Sequence, residues 1–186
     1  MIKSKLRSKV LKIRKNNITK NFEINSYRIL NFLKTQNYNF KNLGGYYPTN
    51  YEIDDLNILE FFEKKNFNIL LPTIKKNNQM EFFKWTKNDP LKINKYGIPE
   101  PVSSKLYYPD ILLVPLVGYD KNLNRLGYGG GFYDRYIEKI EKIKQIVKIG
   151  LAFSYQKIKS VPINKYDKKL DFIVTEKEIL KWKYYF

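Results

Sequence analysis

Between residues 2 and 15, Ile2, Leu6, Val10 and Ile13 recur at helical spacing among Lys and Arg, which predicts an amphipathic helix. Tyr27, Ile29, Leu30 and Leu33 predict a second helix from Ile24 to Lys34. Leu43 to Tyr47 reads as a short strand ended by Pro48. Ile53, Leu56, Leu59, Phe61 and Phe62 predict a helix over Glu52 to Lys65. Phe67 to Leu71 reads as a buried strand, and Met80 to Trp85 alternates as another. Residues 86 to 109 carry Pro90, Pro99, Pro101 and Pro109 and predict loop. Asp110 to Val114 is one acid followed by an unbroken apolar run, the pattern of a central parallel strand. Residues 118 to 131 form a glycine-rich turn region. Phe132, Tyr136, Ile140 and Ile143 predict a helix over Phe132 to Lys144, with Glu138 and Lys142 as an i,i+4 pair. Ile146 to Phe153 and Leu170 to Val174 read as strands, and Glu176 to Lys183 as a closing helix. Strands alternating with helices predict an α/β fold. The expected form is three-layer, a mostly parallel sheet flanked by helices, with residues 1–186 as a single domain and a monomer.

The longest apolar stretch, Ile111 to Tyr119, has nine residues including Pro115, too few to span a bilayer. The N-terminus leads into alternating charge instead of an apolar signal core, so a cytoplasmic location is expected. There is no Cys and no His. That excludes disulfides, thiolate chemistry, His-based triads and imidazole general bases. Carboxylates, Lys, Arg, Tyr, Ser, Thr and backbone amides remain.

The net charge is +17, and its first reading is a polyanion partner. A nucleic-acid binder would also use the many Tyr and Phe to stack bases. Against this, the 30 Lys, 19 Asn and 21 Ile have AT-rich codons, and the lone Ala152 represents the GC-rich ones. Nucleotide bias accounts for such a composition without a partner. Arg, the usual bidentate reader of nucleic acid, appears only five times. No recognisable nucleic-acid-binding motif is present, so no specific nucleic acid is expected.

The densest chemistry lies at Arg125-Leu126-Gly127-Tyr128-Gly129-Gly130-Gly131-Phe132-Tyr133-Asp134-Arg135. Four of the nine glycines fall within five residues, between a buried strand and a helix. Glycines there permit positive φ and let an oxyanion approach the backbone N–H groups. The helix that follows points its N-terminus at the same place. Arg125 adds a fixed cation, and Asp134 is placed to hold a divalent cation bridging phosphates. A plain glycine-rich turn with Asp134 capping a helix is the alternative. Neither the P-loop nor the dinucleotide fingerprint is present.

This string resembles the signature of the 5-formyltetrahydrofolate cyclo-ligase (methenyltetrahydrofolate synthetase) family. That signature is an apolar strand, a Pro, an aromatic-Asp pair and then R-x-G-x-G-x-G-[YF]-Y-D. Here it reads Leu112-Leu113-Val114-Pro115, Tyr119-Asp120 and Arg125 to Asp134. Further similarities are Leu71-Pro72, Met80-Glu81-Phe82, Gly97 to Pro101, Gly150 to Phe153, Gln156, Val161-Pro162, and Asp167 before Asp171. Leu116 stands where the family usually has Gly, Tyr166 where it often has His, and Thr73 where it often has Arg.

The resemblance implies an ATP-dependent enzyme that converts 5-formyltetrahydrofolate to 5,10-methenyltetrahydrofolate, with Mg²⁺ as metal. It implies an ATP site from Lys3, Ser4, Lys5, Leu6 and Arg7 on the first helix, after the family's K-x-x-x-R. The glycine loop completes that site with Arg125, Leu126, Gly127, Tyr128, Gly129, Gly130, Gly131, Phe132 and Tyr133. Arg125 and Lys3 would be catalytic. Tyr47 and Glu52 would bind the pteridine together with Tyr128, Gly129, Gly130, Gly131 and Phe132; Glu52 as an ordinary acid in a helix's first turn is the alternative. Asp134 and Asp167 would be metal-associated. The positive surplus suits a polyglutamylated folate, which is a polyanion. A nucleotide-binding module without turnover and a basic nucleic-acid binder are the competing readings.

Overall fold

The computed structural model describes residues 2–17, 22–36 and 40–181. Its helices are α1 (Ile2–Lys15), α2 (Ser26–Lys34), α3 (Leu56–Glu63) and α4 (Phe132–Glu141). Its strands are β1 (Asn42–Gly44), β2 (Asn68–Ile74), β3 (Met80–Lys84), β4 (Leu91–Ile93), β5 (Pro99–Pro101) and β6 (Leu106–Tyr107). They continue as β7 (Ile111–Pro115), β8 (Gly118–Tyr119), β9 (Arg125–Leu126), β10 (Val147–Leu151), β11 (Phe172–Val174) and β12 (Ile179–Lys181).

Eight strands form one sheet in the order β12-β11-β10-β7-β1-β2-β3-β6. The five from β11 to β2 run parallel; β12 and β3 run against them at the two sides, and β6 pairs antiparallel with β3 at the margin. The centre is β7, whose Ile111, Leu112, Leu113 and Val114 are wholly buried. Alternate residues serve opposite faces. Leu43, Ile69, Leu71, Ile111 and Leu113 join Ile29, Leu33, Leu59 and Phe62 of α2 and α3. Leu70, Leu112 and Val114 join Tyr136, Ile137 and Ile140 of α4. The expected three-layer, mostly parallel fold is therefore the observed one. α1 belongs to neither layer. Its Val10 packs on Val117, Leu126 and Val161, beyond the ends of the strands, and the Ile2 side chain lies outside the described residues.

Carboxylates pin the strand starts. Asp110 accepts the N–H groups of Lys41 and Asn42 and pairs with Lys144, so β1 and β7 begin in register. Asp171 accepts the Lys148 N–H at 2.8 Å beside β10. Asp120, 1% exposed, organises the β8–β9 hairpin by accepting the N–H groups of Asn122, Asn124 and Val161.

Several expectations are corrected. The closing helix expected from Glu176 is a hairpin, and residues 182 and 183 lie outside the described residues. The buried Thr175 hydroxyl accepts the N–H groups of Lys177 and Glu178, which reverses the chain into β12. Residues 86–109 hold β4, β5 and β6, and the two prolines of β5 sit in a two-stranded ribbon apart from the main sheet. The glycine-rich region contains β8 and β9. β1 stops at Gly44, and α4 stops at Glu141, with Lys142 as its cap. Glu138 and Lys142 do not pair among the described residues, whereas Glu141 meets Lys148 and Lys168. α3 starts at Leu56, not Glu52, because Glu52 turns back to accept the Thr49 N–H at 2.7 Å.

Asp55 lies under β1, fully buried, and accepts the Tyr46 N–H at 3.0 Å while its second oxygen has no partner. Burial pushes its pKa well above the ordinary value. The folded chain therefore keeps a proton that an unfolded aspartate gives up near about pH 3.9. Its contribution is complete below that pH and is lost as pH rises through the folded pKa. The stability of the wild type relative to Asp55→Asn should fall as pH rises from about 4. Urea titrations at several pH values measure this, and a flat difference would contradict a protonated Asp55.

Candidate functional site

Two crossovers leave the centre of the sheet in opposite directions. β1 connects through α3 to β2, and β7 connects through α4 to β10. Their helices cover opposite faces. At such a reversal the carboxyl ends of two neighbouring strands open a crevice. A cleft of about 1070 Å³ lies there, between Tyr46 and Tyr47 after β1 and Pro115 at the end of β7.

The glycine loop forms one wall. Gly129 has φ +108°, and a Cβ on it would stand 3.2 Å from the Arg7 guanidinium carbon. Arg7 donates from Nε to the Gly127 carbonyl at 2.7 Å. Gly131, at φ +66°, caps α4 without a side chain, so the first α4 amides point at the cleft with no intrahelical acceptor. Arg125 is 8% exposed and is held by the Lys168 carbonyl and by Asp134 Oδ1, each at 2.6 Å. Burial pushes its pKa down, and Asp134 opposes that shift. Across the rim, Lys3 Nζ meets Asp167 Oδ2 at 2.6 Å. The cations are thus aimed before any ligand arrives.

The opposite wall carries Glu52. Its Oε2 accepts the Thr49 N–H at 2.7 Å and the Thr49 hydroxyl at 3.1 Å. Burial pushes its pKa up, and the Thr49 bonds pull it down. Asn50 and Tyr51 hold this loop in left-handed conformation, at φ 48° and 62°. Phe132 meets Tyr96 edge-on at 5.9 Å, so an aromatic corner closes the cleft.

Most of the expected site residues meet here. Lys3, Arg7, Tyr47, Glu52, Asp134, Asp167 and all of Arg125 to Tyr133 line the cleft. Ser4, Lys5 and Leu6 do not: Ser4 and Lys5 face solvent, and Leu6 packs toward Val10 and Val117. Only i and i+4 of that helix turn share the cleft face. Tyr96 and Arg14 escaped the sequence reading. Tyr96 is carried in by the β4–β5 ribbon, which the prolines concealed. Arg14 stands seven residues after Arg7, two helical turns along the same face, and its signal was rarity. Of five arginines among 35 cations, Arg7, Arg125 and Arg135 line the cleft and Arg14 bonds to Tyr128, which does.

The sequence pattern of the 5-formyltetrahydrofolate cyclo-ligase family matches residues 1–176. The chain belongs to that family. A cyclo-ligase of Haemophilus influenzae is 36% identical over 107 residues, which span 54% of this chain and 57% of the relative. This alignment therefore spans little more than half of that relative's length. The solution structure of a 5,10-methenyltetrahydrofolate synthetase from Aquifex aeolicus superposes with a TM-score of 0.75 at 29% identity, covering 97% of this chain and 93% of the other. A synthetase of the same description from Mycoplasma pneumoniae gives a TM-score of 0.66 at 25% identity, covering 94% and 98%.

The loop's glycines make separable predictions. A methyl at Gly127 meets no atom within 4 Å, whereas at Gly129 it meets Arg7 and a forbidden φ. Gly127→Ala should melt like the wild type. Gly129→Ala should lose about 1–3 kcal/mol of stability. Thermal melting of both variants checks this, and equal losses would contradict it.

Proposed function

We propose that this chain converts 5-formyltetrahydrofolate and ATP to 5,10-methenyltetrahydrofolate, ADP and phosphate. The observation that carries this reading is one cleft with an anion cradle on one wall and a half-buried carboxylate on the other. The cradle joins Arg7, Arg125, the glycine loop and the α4 N-terminus, and the carboxylate is Glu52.

The chemistry suits a chain without His or Cys. The formyl oxygen is a poor leaving group until it is phosphorylated. The γ-phosphoryl group passes to that oxygen as its bond to ADP breaks. N10 then attacks the formyl carbon and loses its proton, and phosphate departs with the former formyl oxygen. Such transfer needs positioning and charge neutralisation more than covalent help. Arg7, Arg125 and Lys3 supply the charge, and the loop amides supply fixed donors. Glu52 accepts from the pteridine donors, with Tyr47 and Phe132 lining the same space.

Among the described residues no three acidic groups gather as a metal cage. Mg²⁺ is commonly held by one or two carboxylates plus substrate phosphates, and Asp134 and Asp167 offer two. They fit a cation that arrives with ATP, where it would neutralise phosphate charge.

A spectroscopic assay for the methenyl product with ATP and Mg²⁺ tests the reading, and no product with any divalent ion would refute it. Arg125→Ala should lower kcat by about 10²–10³, as loss of an oxyanion donor does. Its affinity for 5-formyltetrahydrofolate should stay near that of the wild type. Equal losses in turnover and folate affinity would count against a phosphate role.

A further inference from the structure

Arg14, in the last turn of α1, is 3% exposed and forms no ion pair among the described residues. A buried guanidinium without a carboxylate is costly unless oxygens surround it. Three do, and two of them, on Tyr128 and Asn50, belong to opposite walls of the cleft. Nη2 donates to the Leu116 carbonyl, just after β7. Nη1 donates to the Tyr128 hydroxyl in the glycine loop and, at 3.5 Å, to the Asn50 carbonyl. The guanidinium also lies 5.8 Å from the Tyr128 ring centre.

Two consequences follow from donor and acceptor chemistry. Arginine only donates, so the Tyr128 oxygen accepts from Arg14 and its own proton is left to give elsewhere. Glu52 lies in the same cleft; burial pushes its pKa up, and the Thr49 bonds, then the Arg14 charge, then Tyr128 pull it down. Asn50 sits in the left-handed turn between Thr49 and Glu52, so the same guanidinium holds the loop that carries Glu52. One side chain thereby holds both Tyr128 and the turn that carries Glu52, two residues that line the same cleft.

We infer that Arg14 is a positioning residue for the folate side of the cleft, acting through Tyr128 and the Asn50 turn to set how Glu52 faces its ligand. This rests on the proposed cyclo-ligase reading. Arg14 itself touches neither substrate. It lies at the far end of α1 from Lys3, so the helix that serves the phosphates at one end aligns the pteridine acceptor at the other.

The test uses the full chain as wild type, Arg14→Met, Tyr128→Phe and the double variant. Calorimetry gives the Kd of 5-formyltetrahydrofolate and of ATP, steady-state assays give kcat and both KM values, and melting reports the fold. Arg14→Met should raise the folate Kd and KM about tenfold, the loss of one hydrogen bond to a charged group. ATP affinity and kcat should stay within about twofold of the wild type, since no phosphate contact is removed. Tyr128→Phe should weaken folate in the same direction, and the double variant should be no weaker than Arg14→Met alone. Effects that multiply in the double variant would overturn action through Tyr128. A lower melting temperature with unchanged folate Kd would reduce Arg14 to a structural residue and overturn the inference. If Arg14→Met does not fold, Tyr128→Phe decides, and unchanged folate affinity in that variant is the overturning result. A wild type that binds no folate refutes the functional reading instead, which distinguishes the two failures.

Discussion

Parallel strands joined by helices cannot all cross in the same direction from the middle of a sheet. From β1 the chain crosses to β2, and from β7 it crosses to β10 on the other side. Crossovers are right-handed, so opposite directions place helices on opposite faces. The ends of β1 and β7 are then covered by neither α3 nor α4. Most of the expected site residues collect at that gap. Tyr46 and Tyr47 leave it on one side, Pro115 and Leu116 on the other, and the β8–β9 hairpin returns Arg125 and the glycine loop to it. α1 lies across the end of the hairpin, held by Val10 against Val117 and Leu126.

The cleft is electrostatically prepared. Arg125 is paired with Asp134, Lys3 with Asp167, and Arg7 with a backbone carbonyl, so none waits as a loose surface cation. Fixing these groups during folding removes an ordering cost that ligand binding would otherwise carry. The choice of cation fits this view. Apart from Lys3, no lysine lines the cleft among the described residues. Four of the five arginines stand in or beside the cleft, where a planar guanidinium can hold oxygens in fixed directions.

Much of this was legible in residue order. α1, the buried β7 and the glycine loop each follow from a local pattern: helical spacing, an unbroken apolar run, and four glycines before an amphipathic helix. Other elements were not, and the reasons differ. β12 depends on the buried Thr175 hydroxyl capping a turn, which the helix-like spacing of Glu176 to Lys183 outweighs on paper. The β4–β5 ribbon hides among prolines because Pro is tolerated in a peripheral pair that needs few donors. Glu52 leaves the expected helix because Thr49 competes for its carboxylate.

The order of residues alone determined the cradle's composition: glycines for close approach, Arg125 and Asp134 at fixed offsets, and no His or Cys to suggest other chemistry. It also determined that Lys3 and Arg7 share a face, since one helical turn separates them. Only the tertiary structure decided that Glu52 and Tyr128, 76 positions apart, share a cleft and that Arg14 binds both sides of it. Helical and strand periodicity encode which face a residue takes within its own element. Which elements meet is set by sheet order and crossover direction, and that information is spread over the whole chain.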